Sequence, residues 1–199
     1  MSEKIRCPWP TDIPIYVDYH DHEWGRPVRD DGRLFEMLIL EGMQAGLSWI
    51  TVLKKREAFR AAFDGFDPAK IARYGDAKIQ TLMTNEGIIR NRLKIHAAVT
   101  NAKAFLAVTE KQGRFSDMLW AYVNNTPIIG HRKQMKDISA ATPVSDRISK
   151  DLKKMGFKFI GSTIVYAFMQ AVGMVNDHLT ECFVYKELMN GQPHGGRRA

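Results

Sequence analysis

Apolar residues recur at the spacing of an α-helix through most of this chain, from about residue 30 onward. The alternation of apolar and polar residues that is typical of half-buried strands is scarce. One segment, residues 164–172, is apolar on almost every side, and such a helix is normally buried in the core. The pattern predicts an all-α fold. The first thirty residues, which contain several prolines and aromatic residues, are expected to be irregular, and the polar segment 124–142 is expected to be a loop.

The length of 199 residues suits one domain, or two small helical lobes that share a cleft. With 45% hydrophobic and 26% charged residues, the composition argues against intrinsic disorder and a coiled coil. No window has the roughly 18 apolar residues of a membrane span, and the N-terminus lacks the apolar core of a secretory signal. We therefore expect a cytoplasmic monomer without a membrane partner, with one domain over residues 1–185 and a flexible C-terminal tail over residues 186–199.

The net charge of +7 favours a polyanionic partner such as nucleic acid, although many equally basic proteins bind none. Residues 155–163 connect two predicted helices, whose N-caps are expected at Ser145 and Ser162, and Gly161 would allow a tight turn there. The free N–H groups that open the next helix can hold a phosphate oxygen, so this hairpin is a candidate DNA anchor that reads no sequence. A plain helical hairpin with solvated lysines is the alternative. The lysines in question are Lys150, Lys153, Lys154 and Lys158.

Two cysteines and two histidines have the spacing of a metal site divided between the ends of the chain. Cys7 and His20 lie near the start, whereas His178 and Cys182 are four residues apart and share one face of a helix. Two thiolates and two imidazoles form the tetrahedral set that structural zinc prefers. His22 competes with His20 for this role, and a buried thiol with a surface histidine is the alternative. Bound zinc would fasten the irregular N-terminal segment to the other end of the chain.

Glu41 directly follows the apolar residues 38–40, so its carboxylate loses hydration unless it faces a cleft. Desolvated carboxylates in clefts are candidates for functional sites. Trp49 has a flat face on which a base can stack. On spacing alone, the simpler interpretation is that the aromatic residues build the core and that Glu41 is an exposed helix residue. Further aromatic candidates for such a stack are Trp9, Tyr16, Tyr19 and Trp24.

Taken together, these segments resemble the 3-methyladenine DNA glycosylase I family, over roughly residues 7–185. The resemblance implies a helix-hairpin-helix DNA glycosylase fold, a structural zinc ion, and excision of 3-methyladenine from alkylated DNA. The matching stretches include residues 19–25 (YHDHEWG), 44–49 (QAGLSW), 87–91 (GIIRN), 156–161 (GFKFIG) and 175–178 (VNDH).

The resemblance also implies a role for individual residues. Glu41 corresponds to the carboxylate that reads the damaged base, and we take it as the catalytic residue. Leu47, beside Gly46, corresponds to the residue that probes the base stack. The implied base-binding residues are Trp49, Tyr16, Tyr19 and Trp9; the implied contacts to the DNA backbone are Gly161, Ser162, Thr163 and Lys158; the implied zinc ligands are Cys7, His20, His178 and Cys182.

The implied reaction is hydrolysis of the N-glycosidic bond of a flipped 3-methyladenine in double-stranded DNA, with free 3-methyladenine as the product. Methylation at N3 makes the base cationic, so an anionic Glu41 would attract it more than neutral adenine. Related hairpin glycosylases that cut the strand have a lysine where this chain has Thr163, so we expect a monofunctional enzyme without lyase activity. Asp177, beside His178, is either a general base or a partner of that zinc ligand.

Two other classes of function stay open at this point. The first is a non-catalytic, zinc-stabilised helix-hairpin-helix module that binds DNA through the hairpin and the basic surface. The second is a helical protein that binds a small molecule among its N-terminal aromatic residues. The module would bind DNA without needing Glu41 beside Trp49, and the small-molecule binder would show no salt-dependent affinity for DNA.

Overall fold

The computed structural model describes residues 4–190, and these residues are mostly helical, as the sequence predicts. Strand β1 (Ile128–Ile129) pairs in parallel with β2 (Val175–Asn176). Short 3-10 helices span Asp64–Phe66 and Met135–Asp137. The α-helices are α1 (Pro14–His22), α2 (Asp31–Gln44), α3 (Trp49–Lys54), α4 (Arg56–Ala62), α5 (Pro68–Ile71), α6 (Asp76–Thr84), α7 (Arg92–Gln112), α8 (Phe115–Ala121), α9 (Pro143–Lys154), α10 (Ser162–Ala171) and α11 (Phe183–Asn190).

Helices α2 and α10 form the centre of the core. The apolar segment 164–172 falls largely within α10, whose Val165, Phe168 and Met169 are buried, so its predicted core position is confirmed. Helix α10 packs against both α9 and α2. Residues 34–43 of α2 are all buried, which places Glu41 inside the fold rather than on an exposed helix face. Between residues 4 and 190, no helix combines the length and the apolar character that a membrane crossing requires.

The N-terminal region is less irregular than the sequence suggests. Residues 5–13 have no helix or strand, but α1 occupies residues 14–22. The prediction of an irregular segment is therefore wrong for these nine residues. Pro14 stands at the start of α1, where its missing N–H is not needed and its fixed φ suits a helix. A proline from the segment that was expected to be irregular thus begins a helix.

Two predicted helix starts are displaced by a few residues. Thr142, not Ser145, precedes α9, and Pro143 fixes the first turn. Ser145 instead accepts a hydrogen bond from the Thr142 N–H (2.8 Å), while the Thr142 hydroxyl accepts one from the Ser145 N–H (3.2 Å). Gly161 occupies the position before α10, and Ser162 is its first residue. The Ser162 hydroxyl lies 2.8 Å from the Ser145 hydroxyl, which ties the two helices of the hairpin together.

The hairpin turn does not depend on Gly161, contrary to expectation. Gly161 has a φ of −58°, which any residue adopts. The left-handed positions are Gly156 (φ 95°) and Phe159 (φ 52°), so the turn is made earlier. Asn101 of α7 holds the turn: its Oδ1 accepts from the Lys158 N–H (2.7 Å), and its Nδ2 donates to the Lys158 carbonyl (3.0 Å).

Two further segments can be compared with the sequence prediction: the polar segment 124–142 and the expected C-terminal tail. The predicted loop at residues 124–142 contains β1 and a short 3-10 helix, and most of its remaining residues are in turns or irregular structure. Helix α11 extends to Asn190, so residues 186–190, which we expected to belong to a flexible tail, are helical. The rest of that expected tail, residues 191–199, lies outside the described residues.

Candidate active site

A cavity of about 220 Å³ opens beside the C-terminal half of α2. It contains the predicted carboxylate, the predicted stacking ring and every aromatic residue that we named as a candidate partner. The structure therefore brings Glu41 and Trp49 together on one wall. The full lining is Trp9, Tyr16, Tyr19, Trp24, Glu41, Gln44, Trp49, Met135, Ile138, Ala167 and Gln170.

Glu41 is buried on the wall of this cavity, with 4% of its surface exposed. Among residues 4–190 its carboxyl group has no hydrogen bond and no ion pair. Burial therefore raises the pKa of Glu41 from 4.5 to about 8. In the free protein at neutral pH the carboxyl is mostly protonated, which differs from the anionic form that the sequence argument assumed. The physical reason is that no neighbouring cation compensates for the lost hydration.

The aromatic rings form a continuous group around the cavity. The ring centroid of Trp9 lies 4.9 Å from that of Tyr16 and 5.1 Å from that of Trp24, both in edge-to-face geometry. Tyr19 and Trp49 are tilted at 5.4 Å. Burial, together with the nearby Glu41, raises the pKa of both Tyr16 and Tyr19, so both phenols stay neutral. The cavity is thus uncharged and flat-walled, which suits a planar ring.

A second carboxylate, Glu23, directly follows α1, is half-buried and is paired with two arginines. The two Arg56 guanidinium nitrogens donate to its two oxygens at 2.7 Å, and Arg33 donates to one of the same oxygens. Burial raises the pKa of Glu23, but hydrogen bonds and charge from Arg56 and Arg33 outweigh it, so the pKa lies below its ordinary value. Sequence reasoning gave Glu23 no role. It anchors α1 to α2 and α4.

Cys7, His20, His178 and Cys182 lie together in the interior, with their ligand atoms within 4.8 Å of one another. The Cys7 sulfur is 3.6 Å from His178 Nδ1, and the Cys182 sulfur is 3.6 Å from His20 Nε2. Hydrogen bonding between the two thiol groups lowers the pKa of Cys182 and raises that of Cys7. This cluster, which we call the Cys/His cluster, can hold a metal ion.

Contacts around the Cys/His cluster orient its histidines. Asp21 Oδ1 lies 2.8 Å from His20 Nδ1, and the Trp24 carbonyl lies 3.0 Å from His178 Nε2. Both histidines therefore turn their remaining nitrogen toward the sulfur atoms, as metal-binding histidines do. The competing His22 is exposed, and its ring nitrogen bonds to Asp18 at 2.9 Å. Of the two histidines, only His20 reaches the cluster.

The suggested role of Asp177 as a partner of His178 is wrong. Asp177 is buried, but its oxygens accept hydrogen bonds from Arg132, Tyr166 and Gln170 instead. The physical reason is backbone direction: β2 ends beside Asp177, and its side chain turns toward α10 while the next residue turns toward the Cys/His cluster. The carboxylate that orients a cluster histidine is Asp21.

The residues expected to contact DNA lie in two exposed turns. Gly46, with a φ of 76°, turns the chain after α2 and leaves Leu47 40% exposed. Lys94 holds this turn, because its ammonium donates to the carbonyls of Met43 (2.8 Å) and Ala45 (2.6 Å). In the second turn, Lys158 and Thr163 are exposed, whereas Gly161 and Ser162 are half-buried.

Sequence reasoning missed part of the cavity wall. Met135 and Ile138 come from the polar segment 124–142, and nothing in that segment indicates that it would fold over a cavity. Gln170 had a usable signal, because it is the single amide in the apolar run 164–172. A lone polar side chain in a buried helix needs a partner or a ligand.

An aromatic cavity with a buried carboxyl group, beside exposed turns of a helical fold, defines the class of helical enzymes that extrude a DNA base into a pocket. A sequence model of the methyladenine glycosylase family matches residues 9–185. The chain belongs to this family.

Relatives and solved structures agree with the family assignment. The chain is 52% identical over 177 residues to DNA-3-methyladenine glycosylase of Haemophilus influenzae, covering 89% of this chain and 96% of that protein. It is similar to a crystal structure of 3-methyladenine DNA glycosylase I, with a TM-score of 0.89, 51% identity, and coverage of 90% and 98% of the two chains. A structure of such a glycosylase in complex with 3-methyladenine gives a TM-score of 0.87 and 40% identity, covering 89% and 96%.

Proposed function

We propose that this protein is a DNA-3-methyladenine glycosylase, a hydrolase that releases 3-methyladenine from alkylated double-stranded DNA. The observation that supports this proposal best is Glu41, a buried carboxyl group without a partner on the wall of an aromatic cavity. A buried carboxyl group without a partner costs stability, so its position is explained by a ligand that supplies the missing partner. A relative of similar fold is known in complex with 3-methyladenine.

The charge of the substrate explains how this carboxyl group selects and activates it. Adenine that is methylated at N3 and still bound to deoxyribose carries a fixed positive charge. When it enters the cavity, it favours ionisation of Glu41, whose carboxylate then accepts hydrogen bonds from the edge of the base. As the glycosidic bond breaks, the base leaves as a neutral molecule, so no strong general acid is needed. Neutral adenine gains less binding free energy in the cavity, because Glu41 stays protonated beside it.

The exposed turns supply the contacts to the duplex. In the first turn, Leu47 follows Gly46 and would probe the base stack beside the lesion. In the hairpin, Lys158 and the backbone of residues 161–163 would hold phosphate groups. Thr163 has no amine, so water rather than an enzyme group ends on the sugar, and the enzyme is monofunctional.

The four aromatic residues of the base-binding set would stack on the extruded base and shield it from water. Trp49 and Tyr19 face one another across a tilted contact, and Trp9 and Tyr16 form an edge-to-face pair. The indole N–H of Trp49 is buried and has no hydrogen-bond partner among residues 4–190. A ring with acceptor atoms in the cavity would satisfy it.

We also propose that the Cys/His cluster holds a structural zinc ion. A tetrahedral zinc ion with bonds of about 2.3 Å to sulfur and about 2.05 Å to nitrogen separates sulfur from nitrogen by about 3.6 Å. Three sulfur-to-nitrogen distances in the cluster are 3.6, 3.6 and 3.7 Å. Four protein ligands leave no open position, so the ion would stabilise the fold and take no part in hydrolysis. It would join residue 7 and α1 to the segment before α11.

Location and assembly follow from the same features. DNA as substrate and two buried free thiols suit the reducing cytoplasm. A monomer is proposed because nothing in the sequence indicates a dimer seam.

The proposal is tested by incubating the protein with methylated double-stranded DNA and separating the released bases by chromatography. We expect 3-methyladenine to be released, and Glu41→Gln to lower the rate roughly 10- to 1000-fold while DNA affinity is retained. Glu57→Gln, which alters an exposed carboxylate, is the matched control and should leave the rate unchanged. Borohydride added to the same reaction should trap no covalent adduct. DNA binding without release of any base would favour the non-catalytic module, and an unchanged rate in Glu41→Gln would remove Glu41 from the site.

A further inference from the structure

Asp177 sits at the centre of a buried hydrogen-bond network behind the cavity. Its side chain is fully buried, and its Oδ1 accepts a hydrogen bond from Arg132 Nε at 2.9 Å. Its Oδ2 accepts one from the Tyr166 hydroxyl at 2.5 Å and one from Gln170 Nε2 at 2.8 Å. Asp177 is thus an acceptor toward three donors. The third of these donors, Gln170, also lines the cavity.

This network fixes which end of the Gln170 amide faces Asp177. Arg132 has only donors, and its Nη2 lies 3.5 Å from the Tyr166 oxygen, so the Tyr166 proton points away from it and toward Asp177. With Arg132 and Tyr166 both donating, Asp177 can accept from Gln170 but has no proton to give it. Gln170 must therefore present its NH₂ group to Asp177.

The remaining amide atom, Gln170 Oε1, is left without a partner within residues 4–190. Gln170 belongs to the cavity wall, on the same cavity as Glu41. The cavity consequently contains a hydrogen-bond acceptor whose orientation is locked from behind. An amide that is free to rotate would offer a donor or an acceptor equally well, and this one offers only an acceptor.

The backbone around Asp177 keeps the network in place. A Cβ atom on Gly130 would lie 2.1 Å from Asp177 Oδ1, so only glycine permits the close approach of this segment. The Gly130 N–H donates to the Asn176 carbonyl at 2.9 Å, which continues the pairing of β1 with β2. The same segment leads to Met135 and Ile138, which form the facing part of the cavity wall.

We infer that Gln170 is a specificity-determining residue that reads the substituent at C6 of the purine, with Asp177 as the residue that positions it. The exocyclic amine of adenine donates to Gln170 Oε1, whereas a carbonyl at C6 brings a second acceptor against it and is rejected. The amine has two N–H groups, so one can donate to Glu41 and the other to Gln170; Glu41 also responds to the charge of the base, whereas Gln170 responds only to the substituent at C6. This inference rests on the proposed function, because it assumes that the cavity holds a purine.

The test compares two free bases, 3-methyladenine and 3-methylhypoxanthine, which carry an amine and a carbonyl at C6. The carbonyl form also carries one ring N–H that the amine form lacks, so the decisive quantity is the change in preference between the wild type and Gln170→Met. Each is titrated into the intact, metal-loaded protein, and binding is followed by quenching of tryptophan fluorescence. We expect the wild type to prefer 3-methyladenine by roughly 30-fold or more, and Gln170→Met, which keeps the volume but removes the amide, to lower that preference roughly 10-fold. An unchanged preference in Gln170→Met overturns the inference while leaving the glycosylase proposal intact. A wild type that binds neither base overturns the proposed function and this inference together.

A second variant tests the positioning role of Asp177. Asp177→Asn supplies an NH₂ group that can donate to Gln170, so the Gln170 amide can turn and present its own NH₂ group to the cavity. We expect the preference for 3-methyladenine to fall although Gln170 is present. Tyr166→Phe is the control, because Asp177 still accepts from Gln170, and the preference should be kept. Equal weakening of both bases in Asp177→Asn would show a merely structural role. If that variant fails to fold, the result for Gln170→Met decides the inference.

Discussion

Glu23 and Glu41 are two carboxyl groups close to Tyr19, the first half-buried and the second buried, and their surroundings are opposite. Glu23 receives hydrogen bonds from two arginines, and these hold its pKa below the ordinary value. Glu41 receives no hydrogen bond from residues 4–190, and burial raises its pKa to about 8. Both carboxyls affect the pKa of Tyr19, which shows how near each lies to the same ring.

The difference separates a structural carboxylate from a functional one. Glu23 is neutralised by the protein itself, so it contributes stability and has nothing left to offer a ligand. Glu41 is left unpaired at the cost of stability, and a cationic base would recover that cost on binding. Glu41 is more deeply buried than Glu23, but burial raises the pKa of both carboxyl groups. The hydrogen-bond partners of each carboxyl decide the direction of its net pKa shift.

Removal of the proposed zinc ion by a chelator has the largest expected effect on the free energy of unfolding. It acts on the segment that contains Glu23. His20 belongs to the Cys/His cluster, and His178 Nε2 of the same cluster contacts the Trp24 carbonyl. The cluster therefore fixes the segment that contains Glu23. Removal of the ion should lower the free energy of unfolding by about 4 kcal/mol or more, which for a chain of this length lowers Tm by roughly 10 °C. Thermal melts with and without chelator measure this. His20→Ala should reproduce the loss and His22→Ala should not; equal effects of the two variants would contradict the ligand assignment.

Glu41→Gln has the next largest effect and should stabilise the protein. The folded state keeps a proton on Glu41 that the unfolded chain releases above pH 4.5, so wild-type stability falls as pH rises from about 4.5 to about 8 and then levels off. Glutamine removes this penalty. We expect the free energy of unfolding at pH 8 to rise by about 2 to 4 kcal/mol, with little change at pH 4.

Urea unfolding of wild type and Glu41→Gln at the two pH values measures this difference. A variant that is less stable than wild type at pH 8 would show that Glu41 has a partner in the free protein. The predicted gain in stability accompanies the predicted loss of excision, as expected for a residue retained for function.

Glu23→Gln should have the smallest effect of the three, and it should lower the stability that Glu41→Gln raises. It leaves the half-buried Arg56 without its carboxylate partner, whereas Arg33 retains Glu36 at 3.0 Å. We expect a loss of about 1 to 3 kcal/mol at pH 8, because the pair is partly solvated. Glu187→Gln, which breaks a surface pair with Arg26, is the control and should cost less than about 0.5 kcal/mol. Equal losses in both variants would remove the distinction drawn for Glu23.

Much of this arrangement could be predicted from the sequence, where the pattern is local. The helical spacing of apolar residues was sufficient to predict the all-α fold and the buried helix around Phe168. The i, i+4 spacing of His178 and Cys182 indicated a shared face, and the cluster contains both. Glu41 was identified because a carboxylate directly follows apolar residues 38–40.

The remainder depended on contacts that sequence spacing does not encode. Glu23 pairs with Arg33 and Arg56 across three elements, and no local pattern predicts such a network. The protonated state of Glu41 depends on the absence of a nearby cation, which only the packed fold shows. The segment that contains Met135 was correctly seen as polar, but its path over the cavity is set by pairing of β1 with β2.

The pKa of the Glu41 carboxyl group tests the central claim most directly. It can be measured by carbon-detected NMR titration of protein labelled at glutamate side chains, with Glu41→Gln used to assign the signal. The account predicts a pKa near 8 for Glu41 in the free protein, while Glu23 titrates below its ordinary value. A pKa of Glu41 near 4.5 would mean that the protein already compensates its charge, and the cavity would then have no unpaired carboxyl group with which to select a cationic base.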